Sequence, residues 1–446
     1  MNTKNEIAAH LSTDIRGVLS RHILTDGYDF VMDFEKSHGS WIHDKATGKD
    51  YLDMFSMFAS GSIGYNHPHL VSKSEWLGKM AINKPTLADV YSEEYAHFME
   101  VFERVVIPEE LQYAFFISGG TLAVENAMKA CFDWKTRKNF ENGIDLEAGI
   151  CIHFKQAFHG RSGYTLSLTN TADPRKYQYF PKFDWPRIIN PKLTFPITEE
   201  NLEETMKLER LALIQIQEAI VTHENKVACI IIEPIQAEGG DNHFRQEFMI
   251  ELRNLCDANE ILLIFDEVQT GIGMTGKMWA YQHFGIIPDI IAFGKKTQVC
   301  GVLANKEKFD EVPQNVFRES SRINSTFGGN FIDMLRLQLV LEVIEKENLI
   351  ENSRILGTYL LERLIQIQEK YGEYINNARG KGLMCAVDFT SPSLRDKIQQ
   401  EMYEEGVIIL GCGTQSLRFR PHLNVSKDEI DQAINTLDQV LYSFIK

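Results

Sequence analysis

The sequence predicts an α/β fold, with helices on both faces of a mostly parallel large-domain sheet and a second, smaller α/β domain. From about residue 113 onwards strand-like and helix-like patterns alternate, which is typical of βα units. Two of the predicted strands, ILLIFDE at residues 261–267 and PDIIAFGKK at residues 288–296, are continuous apolar runs. Such runs indicate strands buried on both faces of a parallel sheet. After residue 330 longer helices and shorter strands predominate, which predicts the second domain.

The elements follow in chain order from apolar periodicity and turn residues. Residues 41–53 predict two short strands about a Thr-Gly turn. In the central part we expect strands at residues 113–117, 149–154, 164–168, 227–232 and 261–265, helices at 121–138 and 247–259, and an amphipathic helical segment at 277–284. In the last part we expect helices at residues 331–346, 351–370 and 427–445, and strands at 383–389 and 407–410. We therefore expect a large domain at 56–335, and a small domain formed by 1–55 and 336–446.

Length and composition exclude several classes of protein. The chain has 446 residues, of which 44% are hydrophobic and 24% charged, as in ordinary globular proteins of two or three domains. Its formal net charge of -16, with no visible basic patch, argues against a nucleic-acid or membrane partner. The seven cysteines form no CxxC pair, so neither a zinc ribbon nor a disulfide framework is predicted. The start at residues 1–6 lacks an apolar signal core, and we expect a cytoplasmic, reduced protein.

Asp266 and Lys295 are the most informative pair of residues. Each ends a predicted strand, and the carboxyl ends of parallel strands meet at a ligand crevice. Pyridoxal phosphate chemistry needs this pair, because a lysine forms a Schiff base with the aldehyde while a carboxylate keeps the pyridine nitrogen protonated. Taken alone the pair is a weak signal, since an aspartate at a strand end is often a helix cap and a lysine a surface charge.

Other segments offer weaker signals. The run GIGMTG at residues 271–276 matches a dinucleotide-binding GxGxxG, but two acidic residues precede it and the next strand ends in a lysine. We interpret it as a glycine-rich loop. The run SGGT at 118–121 is equally consistent with a phosphate site at a helix N-terminus and with an ordinary tight turn. His67 and His69 have no third ligand at a metal-like spacing, so no metal site is predicted.

The chain resembles the class III, fold type I pyridoxal-phosphate aminotransferases over nearly its whole length, from about residue 41 to residue 421. The class pattern is visible in IFDEVQTG at residues 264–271 and in PDIIAFGK at residues 288–295. More specific runs resemble the branch of the family that acts on lysine: FHGRSGYTLSLTN at residues 158–170, FPKFDWP at 180–186, KKTQVCG at 295–301 and NSTFGGN at 324–330. The resemblance implies a homodimer with shared active sites that moves the ε-amino group of L-lysine to 2-oxoglutarate.

The resemblance also implies a role for each matching residue. Lys295, rather than Lys296, matches the Schiff-base lysine, and Asp266 matches the partner of the pyridine nitrogen. For the cofactor, the implied roles are phosphate binding for Gly120 and Thr121, phosphate binding from the partner subunit for Thr326, ring stacking for Phe158 and contact near the phenolic oxygen for Gln269. For the substrates, they are binding of the 2-oxoglutarate α-carboxylate for Arg418, binding of the lysine carboxylate for Arg161 and gating of Arg418 for Glu238.

Two positions depart from the pattern, and three alternatives stay open. Ala237 stands where the lysine branch has glycine, which could alter the movement of Glu238, and Met274 stands where many class III members have arginine. An aminotransferase for ornithine or 4-aminobutyrate is the first alternative. A nicotinamide-dependent dehydrogenase using residues 271–276 is the second, and a non-catalytic binding protein is the third.

Overall fold

The computed structural model describes residues 14–445. Its strands are β1 Trp41–His43, β2 Asp50–Asp53, β3 Tyr113–Ile117, β4 Ile150–Phe154, β5 Arg187–Ile188, β6 Val227–Ile232, β7 Leu262–Asp266, β8 Ile290–Phe293, β9 Cys300–Ala304, β10 Ile375–Lys381, β11 Met384–Phe389, β12 Val407–Ile408, β13 Leu410–Cys412 and β14 Ser416–Phe419. Its right-handed helices are α1 Ile15–Leu19, α2 Pro68–Ser72, α3 Ser74–Met80, α4 Glu93–Val105, α5 Gly120–Glu141, α6 Gly163–Leu168, α7 Glu199–Thr222, α8 Gln246–Ala258, α9 Lys306–Asp310, α10 Phe331–Lys346, α11 Leu349–Lys370, α12 Pro392–Glu404 and α13 Lys427–Ile445. Three short 3-10 turns lie at Pro174–Lys176, Ala280–His283 and Lys295–Thr297.

A seven-stranded sheet forms the centre of the fold, in the order β3-β9-β8-β7-β6-β4-β5. The pairs from β8 to β5 are parallel, whereas β9 is antiparallel to both of its neighbours. The carboxyl ends of β6, β7 and β8 therefore lie side by side at one edge of the sheet. In parallel sheets this edge is where ligands bind.

Helices cover both faces of this sheet. Along β7 the fully buried side chains alternate, because Leu263 and Phe265 belong to one apolar cluster while Leu262 and Ile264 belong to another. Helices α4, α8 and α10 contribute to the first cluster, and α5 contributes to the second. A strand buried on both sides explains why the sequence reads as a continuous apolar run.

Two smaller sheets stand apart from the central one. An antiparallel sheet has the order β10-β11-β14-β13, and a three-stranded sheet joins β1 and β2 to β12. A separate apolar cluster packs the four-stranded sheet against α11, α12 and α13. We keep the division into residues 56–335 on one side and residues 1–55 with 336–446 on the other as a proposal; residues 1–13 and 446 lie outside the described part.

The structure confirms most predicted elements and contradicts two. Residues 164–168, expected as a strand, form α6, in which the Thr165 hydroxyl accepts from the Ser162 backbone N–H at 3.3 Å. Alternating apolar and hydroxyl side chains favour a half-buried strand, but Thr165 and Ser167 are buried along with Leu166 and Leu168, so the alternation marks no solvent-facing side. Residues 277–284 form only the 3-10 turn Ala280–His283, and no α-helix lies between the run at 271–276 and β8.

Two further features of the structure concern the state of the cysteines and the length and polarity of the helices. All seven cysteines are buried and carry free thiols. Within residues 14–445 no helix is both long and apolar enough to cross a membrane.

Candidate active site

Asp266 lies at the carboxyl end of β7 and is only 5% exposed. One carboxylate oxygen, Oδ2, is 2.8 Å from Nδ1 of the fully buried His159, and the other accepts the backbone N–H of Val268 at 3.1 Å. These two contacts fix the orientation of the carboxylate toward the edge of the sheet. His159 is a residue that the sequence reasoning missed, since only the fold brings it to Asp266.

Glu233 is a second buried carboxyl group, at the end of β6. Burial, followed by the negative charge of Asp266, raises the pKa of Glu233 well above its ordinary value. Its two oxygens accept the backbone N–H groups of Phe158 at 2.9 Å and of Ala237 at 3.1 Å. Glu233 thereby ties the loop that carries Phe158 to the segment that carries Glu238.

Lys295 begins a 3-10 turn two residues past the end of β8, with φ at +55°, in the left-handed region. Its Nζ donates to the backbone oxygen of Phe58 at 2.9 Å. Burial, and then the positive charge of Arg418, lower the pKa of Lys295 from 10.5 to about 8. An amine with this pKa is neutral often enough near neutral pH to act as a nucleophile and a base.

The backbone segment whose oxygen accepts the hydrogen bond from Lys295 has an unusual conformation. Residues Ser56–Ala59 form one turn of left-handed helix, with φ between +42° and +63° at four consecutive non-glycine positions. This conformation costs about 1–2 kcal/mol per residue, so the surrounding structure must hold it. Asp53 does so, because its Oδ1 accepts the backbone N–H groups of Phe55 at 2.8 Å and of Ser56 at 2.6 Å.

Lys296 is more deeply buried than Lys295 and contacts a different segment. It is 1% exposed, and its Nζ donates to the backbone oxygen of Gln269 at 2.9 Å. Burial, and then the charge of Lys295, lower the pKa of Lys296 well below its ordinary value. Its amine is therefore committed to a structural contact inside the protein.

Gly120 and Thr121 open α5, a helix of 22 residues. The N-cap residue Gly119 has φ at +107° and offers no capping side chain, so the first backbone N–H groups are free of side-chain caps. The Thr121 hydroxyl lies 2.6 Å from that of Thr165, and a Cβ at Gly160 would approach it to 2.2 Å. A long helix with an open N-terminus and an adjacent hydroxyl is suited to a phosphate.

Arg418, on β14, forms an ion pair with Glu238, whose segment follows β6. Nη2 of Arg418 is 3.0 Å from Oε2 of Glu238, and Nη1 lies 3.4 Å from the amide oxygen of Gln269. The side chains of Arg418 and Glu238 are 5% and 26% exposed. Although burial acts to raise the pKa of Glu238, the charges of Arg418 and Lys176 outweigh it and the pKa lies below its ordinary value.

The backbone at Glu238 is held on both sides. The backbone oxygen of Glu238 accepts the N–H of Gly413 at 2.9 Å. A Cβ at Gly239 would lie 2.0 Å from the oxygen of Gln156, so only glycine fits this close approach. Ala237 is fully buried and is anchored by Glu233. Movement of Glu238 is therefore restricted to its side chain, and the methyl group of Ala237 is accommodated.

The remaining predicted residues are placed as follows. The guanidinium of Arg161 lies 5.8 Å from the ring centroid of Phe158, which puts these two together at the site. Thr326 is exposed on this chain, in the loop between α9 and α10. Within the part of the chain that the structure describes, no hydrogen bond joins Thr326 to the other site residues. His67 and His69 contact Glu347 and Glu342, at 3.1 and 2.7 Å, and serve as structural groups.

The donor set fits pyridoxal phosphate. Asp266 supplies a buried carboxylate for the ring nitrogen, and the open N-terminus of α5 supplies donors for a phosphate. Lys295 supplies an amine with a lowered pKa for the aldehyde. The charge of Asp266 contributes to the pKa of Lys295, which places the two groups in one electrostatic environment.

The chain belongs to the class III aminotransferases, since the family model for "Aminotransferase class-III" matches residues 24–441. It is therefore a pyridoxal-phosphate enzyme of the fold type I architecture that acts on small molecules. Among its relatives, the L-lysine-epsilon aminotransferase of Amycolatopsis lactamdurans is 47% identical, with 96% of each chain covered. A solved lysine aminotransferase from Mycobacterium tuberculosis, in the internal aldimine form, is 48% identical with a TM-score of 0.94, and the match covers 96% of this chain and 99% of that one. The mitochondrial 4-aminobutyrate aminotransferase of Homo sapiens is 30% identical, covering 99% of this chain and 91% of that protein.

Proposed function

We propose that this enzyme transfers the ε-amino group of L-lysine to 2-oxoglutarate. The products would be 2-aminoadipate 6-semialdehyde, which cyclises to piperideine-6-carboxylate, and glutamate. Relatives named for lysine are 46–48% identical, against 30–35% for those named for 4-aminobutyrate. The structural observation that favours a terminal amine as the donor group is the ion pair between the buried Arg418 and the partly exposed Glu238, because it masks a carboxylate-binding arginine.

Masking matters because lysine and 2-oxoglutarate are unlike molecules. The ε-amine of lysine must reach the cofactor with no carboxylate near it, whereas 2-oxoglutarate brings a carboxylate beside its reacting carbon. While Glu238 neutralises Arg418, the arginine does not bind the α-carboxylate of lysine, and the ε-amine approaches the cofactor instead. When 2-oxoglutarate arrives, the Glu238 side chain swings away and Arg418 binds the α-carboxylate. Arg161 holds the distal carboxylate of either substrate.

The other residues supply binding and proton transfer. Pyridoxal phosphate, when bound, supplies a covalent anchor for the amine and a ring that accepts electrons. Lys295 would hold the cofactor covalently and, as a free amine, would accept a proton from Cε of lysine, because its lowered pKa leaves part of the amine neutral. Asp266, oriented by His159, would keep the ring nitrogen protonated. Gly120 and Thr121 would bind the phosphate, Phe158 would stack on the ring and Gln269 would contact the phenolic oxygen.

The proposed active unit is a homodimer with shared active sites. Thr326 is exposed on this chain, so its hydroxyl is available to reach the phosphate bound by a second copy. Seven free, buried cysteines are consistent with the predicted cytoplasmic location, which stays a prediction.

A panel of amino donors with 2-oxoglutarate tests the proposal. We expect kcat/KM for lysine to exceed that for ornithine by about tenfold or more, since one methylene in an apolar pocket is worth about 1–3 kcal/mol. 4-Aminobutyrate lacks the α-amino group and should also be poorer. A preference for ornithine or 4-aminobutyrate would assign the enzyme to another donor.

A further inference from the structure

Lys176 is a second cation bound to Glu238, and none of the roles assigned above uses it. It ends the 3-10 turn Pro174–Lys176, and its Nζ forms an ion pair with Oε1 of Glu238, while Arg418 holds Oε2. The side chain of Lys176 is 19% exposed, and its Nζ lies 6.0 Å from the ring centroid of Phe158. Each carboxylate oxygen of Glu238 therefore pairs with a different cation, Oε1 with Lys176 and Oε2 with Arg418.

A cavity of about 290 Å³ lies on the Lys176 side of this pair. Its lining includes Lys176, Glu238, Arg395, Gln399 and Gly413. The side chain of Arg395 is 13% exposed; its guanidinium pairs with Asp396 at 2.6 Å and donates to the backbone oxygen of Ser416 at 3.0 Å. Asp173 also lines the cavity and Arg395 is already paired, so Lys176 is the cation that a carboxylate leaving Arg418 would meet there.

The cost of moving Glu238 explains why a second cation is needed. A carboxylate with only about a quarter of its side chain exposed loses much of its hydration. If Arg418 were the partner of Glu238 and Lys176 were absent, breaking that ion pair would leave the carboxylate without a counter-charge. The backbone of Glu238 is anchored by Gly413, so the backbone cannot carry the carboxylate out into water. With Lys176 bound to the other oxygen, the carboxylate can rotate away from Arg418 and remain paired.

We propose that Lys176 is the partner that holds Glu238 in the open state, so that Arg418 becomes free for a dicarboxylate. Lys176 is a positioning residue, because it acts through Glu238. The inference rests on the proposed function, in which Glu238 masks Arg418. It predicts that Lys176 favours binding of the oxo acid and contributes little to binding of lysine.

Calorimetric titration of the holoenzyme with glutarate measures this directly, since glutarate carries both carboxylates and cannot be transaminated. We expect Lys176→Met and Lys176→Gln to weaken glutarate binding about tenfold, which corresponds to about 1.4 kcal/mol. The single-turnover half-reaction with lysine should change less than about twofold. Lys176→Arg should restore glutarate binding, because it retains the charge.

Arg175→Met is the matched control. It removes one positive charge from the same turn, but Arg175 is 82% exposed and pairs with Asp173, so glutarate binding should not change. In a Glu238→Ala background, Lys176→Met should have no further effect. Unchanged or tighter glutarate binding by Lys176→Met and Lys176→Gln would overturn the inference. So would a tenfold weaker glutarate binding caused by Lys176→Met in the Glu238→Ala background.

The same measurements separate this inference from the proposed function. Glutarate binding needs no amino donor, so a different donor preference would leave the comparison of Lys176 variants intact. If Glu238→Ala slowed both half-reactions equally, the gate itself would be lost and this inference with it. If the gate held and the Lys176 variants bound glutarate normally, only this inference would fail.

Discussion

The pH dependence of cofactor attachment should follow the free amine of Lys295. Lowering the pKa from 10.5 to about 8 raises the neutral fraction at pH 7 from about 1 in 3,000 to about 1 in 10, a gain of about 300-fold. Because only the neutral amine attacks the aldehyde, the rate should rise about tenfold per pH unit below pH 8 and then level off. The cause is the burial of Lys295 beside Arg418.

Stopped-flow mixing of apoenzyme with pyridoxal phosphate, followed by the yellow absorbance of the bound cofactor, measures this rate between about pH 6 and 10. Lys295→Ala should show no attachment that borohydride can fix and no transamination. Lys296→Ala, which removes a lysine buried against the Gln269 backbone, should retain attachment with weakened activity. A rate that still climbs steeply above pH 9, or attachment lost in the Lys296 variant alone, would refute this reasoning.

Three further predictions concern the substrates and the assembly. Glu238→Ala should slow the lysine half-reaction more than the 2-oxoglutarate half-reaction in single-turnover experiments; equal losses would leave Glu238 a structural carboxylate. Arg418→Ala should cost about 1.5–3 kcal/mol in kcat/KM, chiefly with 2-oxoglutarate, because it removes a charge-assisted pair with the α-carboxylate. In the proposed dimer Thr326 would serve the second copy's site, so activity should fall when dilution separates the two copies. Full activity at a dilution where sedimentation shows monomers would contradict this.

The strands and helices could be predicted where the segment was long enough for one apolar periodicity, that of a helix or that of a buried strand, to be clear. The helix Phe331–Lys346 and the final helix Lys427–Ile445 have the predicted bounds. The end of β7 at Asp266 was predicted because the strand is buried on two faces, so that the first polar residue marks the sheet edge; β8 ends at Phe293, two residues before the predicted Lys295. Residues 164–168 were wrongly predicted as a strand, because a short segment carries too few residues to separate the two periods.

The contacts within the site could not be predicted from spacing. His159 reaches Asp266 across 107 positions, and Lys176 reaches Glu238 across 62, so neither pairing leaves a local pattern. The left-handed turn at Ser56–Ala59 contains no glycine, which removes the usual sequence sign of positive φ. The run at residues 271–276 has the letters of a dinucleotide loop, but it precedes no α-helix whose N-terminus could bind a pyrophosphate.

The fate of the two nitrogen atoms of lysine tests the central claim most directly. Lysine labelled with ¹⁵N at either the ε or the α position is incubated with the enzyme and 2-oxoglutarate, and the glutamate formed is analysed by mass spectrometry. With Arg418 masked by Glu238, the ε end reaches the cofactor, so glutamate should carry ¹⁵N from ε-labelled lysine and none from α-labelled lysine. Glutamate labelled from the α position would contradict the account.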